Sequence, residues 1–166
     1  MLILLAVVSC KEQKGSKLIG LWQETAVINP QLDGAVEEQK LFADTVGNST
    51  DSLQNISLYG TDNIENMRAA LRANLDSFRM AQIESMNATR MEFREDSMMY
   101  IHTIDGVDSS KWYIDEDGGL ILDEAAMKGA GNKIRMDILH LSDTMLKLQF
   151  TEKFLSSTSV FKPVKK

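Results

Sequence analysis

Apolar and polar positions along the chain change period from one stretch to the next. Leu2 to Val8 is an unbroken apolar run. Lys17 to Ile28 (KLIGLWQETAVI) reads as a first strand, closed by the turn signal Asn29-Pro30. Gln31 to Asp62 is mixed and polar, interrupted by Gly34, Gly47 and Gly60, and predicts a loop with a short strand near Ile56 to Tyr59. From Asp62 to Ala88 the apolar residues Ile64, Met67, Leu71, Leu75, Phe78, Ile83 and Met86 draw one stripe at helical spacing, which predicts a long amphipathic helix over 62–88. Asp62 and Glu65 resemble a capping box at its start. Its other face carries Glu65, Arg68, Arg72, Asp76 and Arg79, a solvated surface on which Arg72 is placed to pair with Asp76.

Beyond Thr89 the period becomes two. Arg90 to Arg94, Met98 to Ile104, Lys111 to Asp115, Leu120 to Leu122, Lys133 to Leu141, Met145 to Phe150 and Thr158 to Val164 each read as a short strand. Asp105-Gly106, Asp117-Gly118-Gly119, Gly129 to Asn132 and Ser142-Asp143 lie between strands and supply turn chemistry. With the first strand, the count is about eight antiparallel strands, enough for an up-and-down sheet to close on itself around side chains or one small ligand. The fold class is therefore mainly β: a closed barrel, or else a curved open meander, with the long helix inserted after the first strand. Met91, Phe93, Trp112, Ile114, Leu120, Leu122, Ile134, Met136, Leu146, Leu148 and Phe150 fall on the inward parity.

The first apolar run has the length of a secretory h-region and ends in small residues; roughly 20 apolar residues would be needed to cross a bilayer as a helix. Val7-Val8-Ser9-Cys10 resembles the lipobox of bacterial lipoproteins, in which cleavage precedes the cysteine and that cysteine is acylated. The resemblance implies a signal peptide over 1–9, lipidation of Cys10, a tether over 10–16 and a folded domain over 17–166. Each buried acyl methylene contributes about 0.8 kcal/mol, and stable anchoring takes more than one chain. The implied location is the cell envelope, with the outer membrane as partner through the lipid.

Cys10 is the sole cysteine, so a chain cleaved before it and acylated there has no thiol for a disulfide, a zinc site or a nucleophile. A formal net charge of −6 argues against nucleic acid, which requires clustered Lys and Arg. No Gly-x-Ser-x-Gly is present, and the histidines, His102 and His140, both fall on predicted strands. The acidic pairs sit at strand ends and turns, and Asp115 to Gly119 is followed by Leu120-Ile121-Leu122 where a calcium loop needs oxygen ligands. No catalytic constellation or cofactor motif emerges, and the expectation is a protein that is not an enzyme. One metal reading remains as an alternative: Met98, Met99 and His102 combine thioether sulfur with imidazole, ligands suited to Cu(I), in a chain expected outside the cytosol.

Gly20-Leu21-Trp22 on the first strand resembles the Gly-x-Trp that opens lipocalins. Lys111 to Asp115 with Asp117-Gly118 and Leu120 to Leu122, and Ile138 to Leu148, are similar to segments of lipocalin-like bacterial lipoproteins. The resemblance covers Lys17 to Ile28 and Thr89 to Val164. It implies a ligand-carrying barrel in which Gly20 and Trp22 serve the fold and Lys162 is the one basic residue of the last strand able to cover Trp22. It further implies a small apolar ligand, with Met91, Phe93, Trp112, Leu122 and Met136 as its wall, or else a protein partner.

Overall fold

The computed structural model describes residues 14–48, 50–153 and 155–165. Cys10 and the rest of the lipobox resemblance lie outside them. The chain divides into two compact units, one comprising 1–29 with 84–166 and the other 30–83.

The first unit contains a closed barrel with the strand order β1 to β8, each strand antiparallel to its neighbour in sequence and β8 returning to β1. The strands are β1 (Gly20–Ile28), β2 (Arg90–Phe93), β3 (Met98–Thr103), β4 (Gly106–Ile114), β5 (Leu120–Asp123), β6 (Lys133–Ser142), β7 (Met145–Glu152) and β8 (Leu155–Pro163). Closure removes the unpaired edges that an open sheet would expose. The strands after Thr89 match the period-two reading in number and order, because alternation and turn chemistry are local properties, but β4 starts at Gly106 instead of Lys111 and β8 at Leu155 instead of Thr158. Gly106 and Gly118 both hold positive φ in hairpin turns, as expected of the Asp-Gly steps. Asp115 closes the β4–β5 turn by accepting from the Asp117 and Gly119 backbone N–H groups at 3.0 and 2.8 Å.

At the start, residues 14–18 are helical (α1), where the sequence pattern had continued the strand back to Lys17. Leu18 is thereby turned into the core at 0% exposure. The Trp22 indole N–H donates to the Leu18 carbonyl at 2.8 Å, so the buried ring carries no orphan donor. Gly20 joins α1 to β1 at φ +137°, and a Cβ there would meet nothing within 4 Å. Backbone conformation, not close packing, is what requires glycine.

The core cluster is Leu18, Trp22, Met91, Phe93, Met99, Trp112, Leu120, Leu122, Leu146, Leu148 and Phe161, with Ile114, Ile134 and Met136 packed against it. The inward parity holds for the expected residues of β2, β4 and β5 and for Leu146 and Leu148 of β7, whereas Phe150 is half-buried and outside the core cluster. Phe93 and Trp112 meet edge to face at 5.4 Å, a geometry that adds about 0.5–1.5 kcal/mol to the area they bury.

The second unit is helical. It comprises α2 (Pro30–Thr45), α3 (Ser52–Tyr59) and the first five turns of α4 (Ile64–Ala88), whose last residues belong to the barrel unit. The loop expected over 31–62, and the strand near Ile56, are thus corrected to two helices. Pro30 suits a first helical turn, where its missing N–H costs nothing. Asp51 and Gln54 form a full capping box on α3, and Gly60 ends it at φ +73°. The cap of α4 is also corrected: Asn63 accepts from the Asn66 N–H at 3.0 Å, so the helix begins one residue after the proposed Asp62 box. Arg72 pairs with Asp44 of α2 at 2.9 Å instead of with Asp76. Arg68 donates from Nε and Nη2 to the Val46 carbonyl at 3.0 and 2.7 Å, satisfying an acceptor past the end of α2. Ala43, Val46 and Ile64 are the buried apolar residues of this unit among those described.

Candidate functional site

The barrel interior brings together the residues expected to line a ligand. Met91 and Phe93 of β2, Trp112 of β4 and Leu122 of β5 are buried in one cluster, and Met136 of β6 packs against it. Register explains the convergence: Trp112 lies opposite Leu122, and Leu120 opposite Met136, so inward positions of neighbouring strands fall level. The Trp112 indole N–H donates to the Arg94 carbonyl at 3.2 Å, which fixes its ring. Ile101, Ile134 and Met136, farther along the strands, are only partly buried.

Two polar side chains lie within this apolar wall, and the sequence pattern did not single out either. Glu24 follows Gly20 and Trp22 on the inward face of β1 and is 7% exposed. It registers with Phe161 of β8, and its backbone N–H donates to the Thr89 carbonyl at 3.0 Å. Burial raises its carboxyl above the ordinary glutamate range, while hydrogen bonding with the Ser159 and Thr89 side chains acts against that rise. Ser110 of β4, opposite Met99, is 3% exposed, and its hydroxyl has no hydrogen-bond partner among the described residues. The signal that could have found both is the same alternation that located the core: each occupies an inward position with a polar side chain.

Ion pairs lie on the outside. Arg94 meets Glu92 at 2.9 Å with its guanidinium over the Tyr100 ring, Arg135 bridges Asp115 and Asp137, and Lys128 meets Asp108 at 2.6 Å. Arg135 and Lys128 hold Asp115 and Asp108 below the usual carboxylate range. An open groove on the outer wall of β1 to β3 includes Leu21, Arg90, Glu92, Arg94 and His102. Within it Arg90 donates to the Gln23 amide oxygen at 2.7 Å and Arg94 is held by Glu92.

Strand β3 divides the residues suggested for copper. Met99 is buried in the core, and Met98 and His102, of the opposite parity, face outward. Among the described residues no group of three or more His, Cys, Asp or Glu side chains is arranged to hold a metal. Lys162 is exposed and registers with Gln23, whereas Trp22 registers with Pro163 and is bonded to Leu18.

Gln23 has an unexpected structural role. Its amide nitrogen lies 3.2, 3.1 and 3.0 Å from the Met86, Asn87 and Thr89 carbonyls, tying the last turn of α4 to β1. This supplies donors to carbonyls that a helix C-terminus leaves unpaired.

No protein-family model matches the chain, and no curated protein matches it. Among solved structures, it is similar to the crystal structure of a DUF4847 family protein from Bacteroides vulgatus, with 11% identity and a TM-score of 0.46 over 93% of this chain and 99% of that one.

Proposed function

We propose that this chain is a lipid-anchored cell-envelope protein of lipocalin-like fold that binds a small apolar ligand inside its barrel and catalyses no reaction. The observation that supports it most directly is closure of the eight strands around an apolar interior lined by Met91, Phe93, Trp112, Leu122 and Met136. A barrel of this size encloses room for side chains or one small ligand. The anchor rests on the resemblance of Val7 to Cys10 to a lipobox, and the outer membrane is the location that follows from it.

Two measurements test the reading. Metabolic labelling with an alkyne palmitate analogue in a bacterial host is expected to mark the wild-type chain and not Cys10→Ala; equal labelling of both, or of neither, overturns the anchor. Titration of the chain with C12 amphiphiles, followed by Trp22 and Trp112 fluorescence, is expected to saturate at one ligand per chain. No saturable change with any of them overturns the ligand-carrying role.

A further inference from the structure

The interior of the barrel carries an uncompensated acid. Glu24 is buried on the inward face of β1 beside Trp22 and opposite Phe161, and the Ser159 and Thr89 side chains hydrogen-bond with its carboxyl. No Lys, Arg or His is paired with it among the described residues, whereas four acids outside the core, Glu92, Asp108, Asp115 and Asp123, each have a cation within 4 Å. Burying a carboxylate without a counterion is costly, and an apolar residue at this position would have packed without that cost. The Thr89 hydroxyl donates its one proton to the Ser85 carbonyl at 2.9 Å, which leaves the Ser159 hydroxyl to donate to Glu24, and an ionised carboxylate has about four acceptor sites. Across the interior, three strands away on β4, the Ser110 hydroxyl is buried with no partner. The Ser110 hydroxyl lacks a partner, and an ionised Glu24 lacks a positively charged donor among the described residues.

We propose that the ligand of this barrel is a cationic amphiphile, a protonated alkyl- or arylamine whose ammonium donates to the Glu24 carboxylate while its hydrocarbon lies against Met91, Met99 and Leu148. The inference rests on the ligand-carrying reading above and adds the chemistry of the head group. An ammonium brings up to three donors, so it fills the acceptor sites that Ser159 and Thr89 leave open. It also turns the desolvation that disfavours an ionised Glu24 into an advantage, because a charge-assisted hydrogen bond is stronger where water is excluded. A fatty acid places a second anion beside the first, and an alcohol offers a single neutral donor. The carboxyl that burial pushes up is drawn back to its ionised form when the amine binds, and its proton passes to solvent.

The test compares dodecylamine, dodecanol and dodecanoate on the full chain by calorimetric titration at neutral pH and submicellar concentration. Dodecylamine is expected to bind about tenfold or more tightly than either of the others, a difference of about 1.4 kcal/mol. Glu24→Gln is expected to bring the amine down to the affinity of the alcohol and to leave the alcohol unchanged. Equal affinity of the three for the wild-type chain, or an amine preference that survives Glu24→Gln, overturns the head-group assignment and leaves the carrier role standing. Binding of none of the three overturns both. The comparison of head groups on the wild-type chain does not depend on how the variant folds.

Discussion

Single residues decide how the apolar wall is built and where it is interrupted. Gly20 adopts φ +137° in open space, so the penalty for any side chain there is conformational. Gly20→Ala is expected to cost about 1–3 kcal/mol, read as a fall in the midpoint of denaturant unfolding with the slope unchanged. The Gly-x-Trp resemblance had marked this residue for the fold, but it could not say that conformation was the reason. Glu24 is the opposite case. It was legible only as one polar residue in a strand, since most glutamates are exposed. Its raised pKa carries a definite sign. Below the ordinary glutamate range both folded and unfolded chains hold it protonated. As pH rises past that range the unfolded chain ionises first, so the folded state, which retains the proton, loses stability until pH passes the raised value. Glu24→Gln removes this loss. Its melting temperature is therefore expected to gain on the wild type as pH rises through and above the ordinary glutamate range. The lowered pKa values of Asp108 and Asp115 act in the other direction, but they are common to both proteins and cancel in the difference.

At the scale of elements, the strands after Thr89 were legible because side-chain alternation and Asp-Gly turns are set by residues close in sequence. The helices α2 and α3 were not. Their positions are mostly exposed, Gly34 interrupts α2, and no apolar stripe announces them. The spacing of Asp51 and Gln54 was the available sign, and it is the capping box of α3. The junction between α4 and β2 depends on Gln23, a residue of β1 whose amide holds the Met86, Asn87 and Thr89 carbonyls. Gln23→Ala is expected to destabilise the chain by about 1 kcal/mol. Hydrogen exchange should rise at the amides closing the last turn of α4, including that of Thr89, which donates to the Ser85 carbonyl at 3.0 Å. Exchange unchanged there would show that the helix end is held by other means.

For the whole molecule, every described residue of the core cluster belongs to the barrel unit, and none of the described residues of 30–83 joins it. Replacing 30–83 with a short Gly/Ser linker is accordingly expected to leave a cooperatively folding barrel, with the near-ultraviolet circular dichroism of Trp22 and Trp112 preserved. Loss of that signal would mean that the helical unit contributes to the core. By itself the sequence determined the number of strands, their inward faces and the residues that meet there, because a strand of period two commits alternate side chains to one side wherever it pairs. Tertiary structure alone decided that the sheet closes. The pairing of β1 with β8 joins residues such as Ala26 and Val160, far apart in sequence, through backbone hydrogen bonds that are blind to side-chain identity. A shift in register between Glu24 and Ala26 accommodates that closure. The same step encloses Glu24 with no cation beside it among the described residues, since charge is written in the sequence but the water around it is removed only by the fold.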